Sequence, residues 1–399
     1  MNPNLQTLTL PAPVTSIGSA VLACGAWLKN SACLIEGNQV TLSAVHGDLG
    51  EAANCLALEA SIAALTVLAK GKIKAVAHDL HPDFFSSRLA VQTATQLQVP
   101  AIAVQHHHAH AGVLMAEYGL DEAVIAVTLD GVGLGTDGVA WGGELLWVDG
   151  PHWQRLGHFS PLCLPGGDVA AREPWRMAAA VLHALGRRLE IVDRYGPIVG
   201  KSAASMVQTM LDRQLNSPIT TSAGRWFDAA AGALGISVRQ AFEAEAAIGL
   251  EQLATQYLAT HSEPEQSCPT LLHTDGQLDL LPLLGQLFGL ADKGDDDAVA
   301  RGAALFHLTL VEALLQWTLR ATRQYDIQTV ALGGGCFFNK LVTERLVARL
   351  QEAGLRVVLP KQVSCGDAGL ALGQAWVAAQ LCGVGLRQAP GQAFMQALG

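Results

Sequence analysis

Paired cysteines are absent from this sequence of 399 residues. Its eight cysteines are scattered, and no two of them form a C-x-x-C pair. This spacing argues against a zinc finger or a disulfide framework. We therefore predict mostly buried thiols in a reducing cytoplasm.

Charge is also scarce, since 15% of the residues are charged, the formal net charge is −10, and Lys and Arg form no cluster. Because phosphate binding needs concentrated cations, we predict no nucleic-acid partner. The N-terminus has neither a basic nor an apolar signal region, and no apolar run approaches the ~18 residues that span a bilayer. We therefore predict a chain that is neither secreted nor inserted in a membrane.

Hydrophobic residues make up 50% of the chain, which allows a large core and favours two lobes over one. Strand-like and helical segments alternate in the α/β manner. We predict a tail or first strand over residues 1–14, a first lobe over 15–150 and a second lobe over 151–399. Residues 263–297, with SEPEQSCP and an acidic run, are predicted to be irregular.

A histidine run, VQHHHAH, spans Val104–His110, and SCGDAG follows at Ser364–Gly369. In a helix, His106 and His110 lie about one turn apart on one face, where two imidazoles can bind one ion. Asp367 can supply a carboxylate, and this donor set suits zinc or non-haem iron better than calcium or magnesium. The alternatives are histidines without a ligand role and an aspartate that begins a helix.

A glycine-rich segment, LDGVGLGTDG, follows a predicted strand. Its glycines are predicted to form a hairpin whose backbone amides bind phosphate, with an aspartate on either side to hold a cation or water. These residues are Asp130, Gly131, Gly133, Gly135 and Asp137. A strand-like segment comes next, which argues against a Rossmann motif, and an ordinary tight turn is the alternative.

A second glycine turn, at Gly333, Gly334 and Gly335, follows a predicted strand and precedes a helix. Its amides can approach a phosphate, and its small residues leave room for an adenosine. We predict that replacing Gly334 with valine blocks nucleotide binding and leaves the fold largely intact. Asp228 lies near a predicted helix start, where it either binds a ribose hydroxyl or caps the helix.

Segments along nearly the whole chain resemble a known family. They are LACGAWLKN, HGDLGE, AHDLHPDFFSS, VQHHHAHAGV, LDGVGLGTDGVAWGGE, REPWRMA, TSAGRWFDAAAGALG, ALGGGCFFN and SCGDAGLALGQA. The series is similar to the Kae1-like carbamoyltransferase domain of HypF-type hydrogenase maturation proteins. This resemblance implies a two-lobed α/β fold of the actin-like, sugar-kinase ATPase type.

The same resemblance implies a set of site residues. His106, His110 and Asp367 are the implied metal ligands, and the intervening histidines are not ligands. The two glycine turns, together with Asp228 and Asn339, are the implied lining of a cleft for ATP or carbamoyl adenylate. Mg²⁺ is left open as a companion of the nucleotide.

The implied activity is transfer of a carbamoyl group, taken from carbamoyl phosphate and carried as carbamoyl adenylate, to a cysteine thiolate. The implied acceptor is the C-terminal cysteine of the partner protein HypE, on the route to the cyanide ligands of nickel–iron hydrogenase. A metal Lewis acid suits charge that builds on the carbamoyl oxygen or the departing phosphate. Lys29 and Arg172 are candidate cationic clamps, with exposed loop charges as the alternative.

Full-length family members carry acylphosphatase-like, zinc-finger and YrdC-like modules that this sequence does not show, which leaves open whether this chain or a separate module forms carbamoyl adenylate. One alternative function is carbamoyl transfer to a small-molecule hydroxyl group, and another is a nucleotide-binding scaffold without independent activity. The acidic composition argues against a tRNA threonylcarbamoyl transferase. Cys365, close to Asp367, is a candidate covalent relay, although packing is its favoured role.

Overall fold

Two β-sheets organise the chain in the computed structural model, which describes residues 4–265 and 272–383. The strands of the first sheet are β1 (Gln6–Thr9), β2 (Ser19–Ala23), β3 (Cys33–Glu36), β4 (Gln39–Leu42), β5 (Lys72–Asp79) and β6 (Ala101–Val104). Their order is β1-β4-β3-β2-β5-β6, and β2, β5 and β6 run parallel. The segment predicted as a tail or first strand therefore contains an edge strand.

The second sheet follows later in the chain. Its strands are β7 (Val124–Leu134), β8 (Ala140–Asp149), β9 (His152–His158), β10 (Leu162–Cys163), β11 (Ile219–Thr220), β12 (Thr329–Gly333) and β13 (Arg356–Val358). The order is β10-β11-β8-β7-β12-β13, with β9 beside β8. Because β7 pairs with β12 and β8 pairs with β9, both strands belong to this sheet, and the predicted lobe boundary at residue 150 lies inside it.

Helices cover both sheets. They are α1 (Ala52–Leu68), α2 (Phe85–Leu97), α3 (His106–Tyr118), α4 (Asp168–Arg172), α5 (Pro174–Ala184), α6 (Glu190–Val199), α7 (Lys201–Asp212), α8 (Ala223–Ala233), α9 (Glu245–Thr260), α10 (Leu281–Ala291), α11 (Asp296–Tyr325), α12 (Lys340–Glu352) and α13 (Leu370–Leu381). This arrangement of two sheets with covering helices confirms the predicted two-lobed α/β fold.

Two helices depart from the sequence predictions. α10 lies within residues 263–297, which were predicted to be irregular; proline suits its first turn, and its apolar side chains Leu283, Leu287 and Phe288 are buried. α11 is long and apolar enough to span a bilayer, with a mean hydropathy of 1.5, contrary to the prediction of no such run. However, 78% of that apolar window is buried inside the protein, as in the core helix of a globular domain. Part of SEPEQSCP lies outside the described residues.

α3 and α13 form a layer between the sheets. α13 packs against β2, β3 and β5 of the first sheet, whereas α3 contacts β7 and β12 of the second. The two helices cross at Gly112 and Gly373, where a Cβ atom on Gly373 would overlap the Ala109 carbonyl oxygen. This close approach brings the segment before α13, which contains Asp367, beside the first turn of α3.

The described cysteines are free thiols, of which Cys24 and Cys33 are fully buried and the others partly buried. Cys268 lies outside the described residues. The prediction of mostly buried thiols therefore holds strictly for two of the seven described cysteines.

Candidate metal centre

The first two turns of α3 present the histidines. Gln105 caps the helix, since its side-chain oxygen accepts a hydrogen bond from the His108 amide at 2.8 Å. Within the helix, His106 and His110 lie one turn apart and are each 2% exposed. The predicted helical spacing is therefore present, and both imidazoles are directed into the protein rather than into solvent.

Four side chains converge at this point: His106, His110, Asp130 and Asp367 each offer one ligand atom, and these atoms lie within 4.8 Å of one another. The His106 Nε2 atom lies 3.1 Å from the Asp130 Oδ2 atom and 3.4 Å from the Asp367 Oδ1 atom. The His110 Nε2 atom lies 3.4 Å from the same Asp130 oxygen. The structure thus brings together the three predicted metal residues and adds Asp130, which was predicted on the nucleotide side.

The orientation of His106 is set by Asp79, at the end of β5. The His106 Nδ1 atom donates to the Asp79 Oδ2 atom at 2.7 Å, and the other Asp79 oxygen accepts from the His81 amide at 3.0 Å. A carboxylate in this position fixes the ring and directs its Nε2 atom towards the other three side chains, as carboxylates beside metal-binding histidines do. Asp79 was not among the residues predicted from the sequence; the available signal was an aspartate at the end of a buried strand.

The electrostatics of the group fit a cation. Burial and the nearby Asp130 carboxylate raise the pKa of Asp367. Burial also opposes ionisation of Asp130, but hydrogen bonds from His106 and His110 hold the pKa of Asp130 well below its usual range. Two buried carboxylates that face each other need positive charge between them. Two imidazole nitrogens and two carboxylate oxygens form a donor set that suits zinc or iron.

The other histidines of the run have different partners. The His108 Nε2 atom donates to the Gly150 carbonyl at 3.0 Å, and burial lowers the pKa of His108 to about 4. The His107 Nδ1 atom lies 3.0 Å from the Gln105 side-chain nitrogen. Both residues lie outside the four-residue group, as predicted.

The first glycine segment does not form a simple phosphate loop. Gly131 and Gly133 lie within β7, and Gly135 begins the turn to β8. A Cβ atom on Gly135 would overlap the Trp141 indole. Asp137 accepts hydrogen bonds from the Val139 amide at 3.0 Å and the Trp141 indole nitrogen at 2.9 Å, so it stabilises the turn and does not join Asp130 at the cation site.

The second glycine turn is engaged within the protein. The Gly334 amide donates to the Cys365 carbonyl at 2.9 Å, and the Gly335 amide donates to the Asp130 Oδ1 atom at 2.9 Å. These two amides therefore help to position Asp130 and the segment that contains Asp367, and the geometry does not support their predicted contact with phosphate. Gly334 has a φ of +101°, and a Cβ atom there would overlap the Leu129 carbonyl oxygen. The prediction that Gly334→Val leaves the fold intact is therefore wrong.

Asp228 and Asn339 also have internal partners. Asp228 is 2% exposed and accepts from Arg225 Nε at 2.7 Å, while burial raises the pKa of its carboxyl group. The cap of α8 is Ser222, so the capping alternative for Asp228 is wrong. Asn339 caps α12, and its amide nitrogen lies 3.0 Å from the His307 Nε2 atom.

The candidate cationic clamps lie outside the group formed by His106, His110, Asp130 and Asp367, which we call the metal group. The Lys29 Nζ atom lies 3.0 Å from the Glu243 Oε2 atom, and both side chains are more than half exposed. Arg172 ends α4, is exposed, and has no salt-bridge partner among the residues that the structure describes. For both residues, the exposed-charge alternative describes the present geometry.

Comparison with known proteins defines the class. Models of the "HypF Kae1-like domain" and of the "Carbamoyltransferase, Kae1-like Domain, second subdomain" match residues 17–117 and 126–374. The two lobes therefore form a Kae1-like carbamoyltransferase. The chain is 60% identical to a carbamoyltransferase HypF homolog of Cupriavidus necator, over 94% of this chain and 95% of that protein.

Longer relatives match as well. Carbamoyltransferase HypF of Rhizobium leguminosarum bv. viciae is 38% identical over 93% of this chain and 46% of its own length. A full-length HypF crystal structure, described as a phosphate- and nucleotide-bound form, has a TM-score of 0.84 and 30% identity over 94% of this chain and 57% of that chain. The chain thus spans about half the length of the longer relatives. It belongs to the HypF family of carbamoyltransferases.

Proposed function

We propose that His106, His110, Asp130 and Asp367 hold one zinc or iron ion and that carbamoyl transfer takes place beside it. The convergence of these four side chains, of which Asp367 is partly exposed and the others are buried, is the observation that carries the proposal. When bound, the ion supplies a Lewis acid for charge that builds on the carbamoyl oxygen or the departing phosphate. Asp79 holds the His106 ring in the ligating orientation, and the Gly335 amide does the same for Asp130.

The carbamoyl donor in this proposal is carbamoyl adenylate, formed from carbamoyl phosphate and ATP with or without Mg²⁺. A relative described as a phosphate- and nucleotide-bound form supports nucleotide binding, and we propose that an adenine nucleotide binds near the four converging side chains. Gly131 is the best placed of the predicted glycines, because a Cβ atom there would meet no atom within 4 Å. Asp228, Lys29 and Arg172 remain proposed contacts to the nucleotide or the carbamoyl group.

The proposed acceptor is the C-terminal cysteine thiolate of HypE, in the maturation of nickel–iron hydrogenase. The sulfur forms a bond to the carbamoyl carbon while the bond from that carbon to the adenylate oxygen breaks, and AMP leaves. Supply of carbamoyl adenylate by a separate adenylating module is part of the proposal. The free thiols fit the predicted cytoplasmic location.

The test incubates the purified chain with carbamoyl phosphate, ATP and HypE, with and without a YrdC-like adenylating module, and then measures the mass of HypE. We expect one carbamoyl adduct on the C-terminal cysteine of HypE when the module is present. Asp367→Asn should abolish the adduct, and Asp137→Asn, on the neighbouring turn, should retain it. Modification of a small hydroxyl compound alone would indicate an O-carbamoyltransferase, and nucleotide binding without transfer would indicate a scaffold.

A further inference from the structure

Beyond the metal ligands, α3 carries another buried carboxylate near its C-terminal end. Glu117 is 4% exposed. Its Oε2 atom accepts a hydrogen bond from the Lys361 amide at 2.6 Å, and its Oε1 atom accepts from the amides of Gln362 at 2.7 Å and Val363 at 3.0 Å. One side chain thus fixes three consecutive backbone amides of the segment that leads to Asp367.

The other end of this segment is tied to the metal group. The Cys365 carbonyl accepts from the Gly334 amide at 2.9 Å, and the adjacent Gly335 amide holds Asp130. Just beyond Asp367, the Ala368 carbonyl accepts from the Ser31 hydroxyl at 2.8 Å. The chain between Val363 and Asp367 is short, so the position of the Asp367 carboxylate depends on the anchor at each end.

The geometry points to Glu117 as a positioning residue for the metal ligand Asp367. The helix that presents His106 and His110 also sets the place of the ligand that arrives from the other end of the chain. An ionised carboxylate that accepts several amide hydrogen bonds forms short, strong bonds, and its burial makes any arrangement without these donors costly. The Glu117 carboxylate bonds to backbone amides and, among the described residues, has no hydrogen bond or ion pair with the four ligand side chains, so it acts through the backbone.

This inference rests on the metal site proposed above, and Zn²⁺ affinity of the full chain tests both. The variants are Glu117→Gln, Asp367→Asn and their combination. Glutamine preserves the shape but offers one acceptor oxygen, so at least one amide loses its partner. We expect Glu117→Gln to weaken Zn²⁺ binding roughly tenfold or more, as do other residues that orient metal ligands. In the Asp367→Asn background we expect little further loss, because Glu117 acts through that ligand.

Glu36→Gln is the matched control. The Glu36 Oε1 atom accepts from the amides of Lys70 at 2.9 Å and Gly71 at 2.6 Å, at the end of β3 and away from the metal ligands. Glutamine keeps one oxygen that can accept from both amides, so this variant removes a carboxylate charge elsewhere in the protein and should leave Zn²⁺ affinity unchanged. The visible spectrum of the Co²⁺-loaded protein, which reports ligand geometry, should change in Glu117→Gln and match the parent in Glu36→Gln.

The two possible failures are distinguishable. Undiminished Zn²⁺ affinity in Asp367→Asn overturns the metal site itself. A weakened Asp367→Asn with an unaffected Glu117→Gln, or an equal effect of Glu117→Gln in both backgrounds, overturns the positioning role alone. If Glu117→Gln does not fold, the same cycle is run with Glu117→Asp, which keeps the charge but is one methylene shorter. We again expect a loss of Zn²⁺ affinity that disappears in the Asp367→Asn background. If no such loss is found, the positioning role of Glu117 is overturned.

Discussion

The His106 imidazole lies directly against Gly133. A Cβ atom at residue 133 would lie 2.7 Å from the Cδ2 and Cγ atoms of the ring. The ring has little freedom to move away, because Asp79 holds its Nδ1 atom at 2.7 Å and the side chain is buried. A glycine that the sequence suggested for phosphate binding therefore makes room for the ring of His106, a proposed metal ligand.

Gly133→Ala should weaken metal binding, because the added methyl group displaces a fixed ligand. We expect roughly a tenfold or greater loss of Zn²⁺ affinity, measured by calorimetry. Gly131→Ala, two residues earlier on β7, is the matched control, since a Cβ atom there meets open space. Equal affinities for the two folded variants would show that the contact with Gly133 does not position His106.

Asp130 and Asp137 should behave differently when each is replaced by asparagine. Asp130→Asn removes a carboxylate from the metal group but keeps an oxygen that can accept from the Gly335 amide, so we expect a folded protein with lost or strongly reduced metal. Asp137→Asn changes the β7–β8 turn, and metal content should stay at the parent level. Elemental analysis of the dialysed variants measures their metal content. Stoichiometric metal in Asp130→Asn would show that this residue is not a ligand.

Local patterns predicted the parts of the site that depend on short-range geometry. The spacing of His106 and His110 determines their common face once a helix forms, and this required no knowledge of the tertiary fold. The antiparallel pair of β3 and β4 turns at Gly37, and this turn is also a local feature, because its φ of +60° is one that glycine readily adopts.

The other parts of the site depend on contacts between residues that are far apart in the sequence. Asp130 reaches the histidines because β7 packs against α3, and Gly335 fixes its carboxylate because β12 pairs with β7. From the sequence, the Gly334 amide was predicted to contact phosphate. Its packing against the Leu129 carbonyl was not predictable, because the two residues are far apart in the sequence. Such contacts leave no periodic signal in the chain, so the glycines were recognisable from the sequence but the packing of Gly133 and Gly334 was not.

Cys365→Ser should leave carbamoyl transfer to HypE within roughly tenfold of the parent, because no bond to the moving group is lost. Burial raises the pKa of Cys365 to about 11, so little thiolate is present at neutral pH to act as a nucleophile. Mass spectrometry of both proteins during turnover checks this. Abolished transfer, together with a carbamoyl adduct on Cys365 in the parent, would establish a covalent relay.

Protein stability should fall in mild acid, partly because of His307 in the core. This side chain is fully buried; its Nδ1 atom donates to the Ala303 carbonyl at 2.8 Å, and burial lowers its pKa to about 4. The unfolded chain protonates this histidine below about pH 6.5, whereas the folded chain stays neutral until about pH 4. The unfolded state therefore binds more protons within this window, and the free energy of unfolding decreases as the pH falls through it. From pH 7.5 to pH 5.0 the expected contribution is about 2 kcal/mol, and above pH 6.5 it vanishes.

Urea unfolding of the metal-free protein at both pH values, compared with His307→Gln, measures this contribution of His307 to the free energy of unfolding. The variant should lose about that much of the pH dependence, and His152→Gln, which changes an exposed histidine, should retain it. Identical pH dependence in the parent and His307→Gln would mean that His307 is protonated in the folded protein as readily as in the unfolded chain.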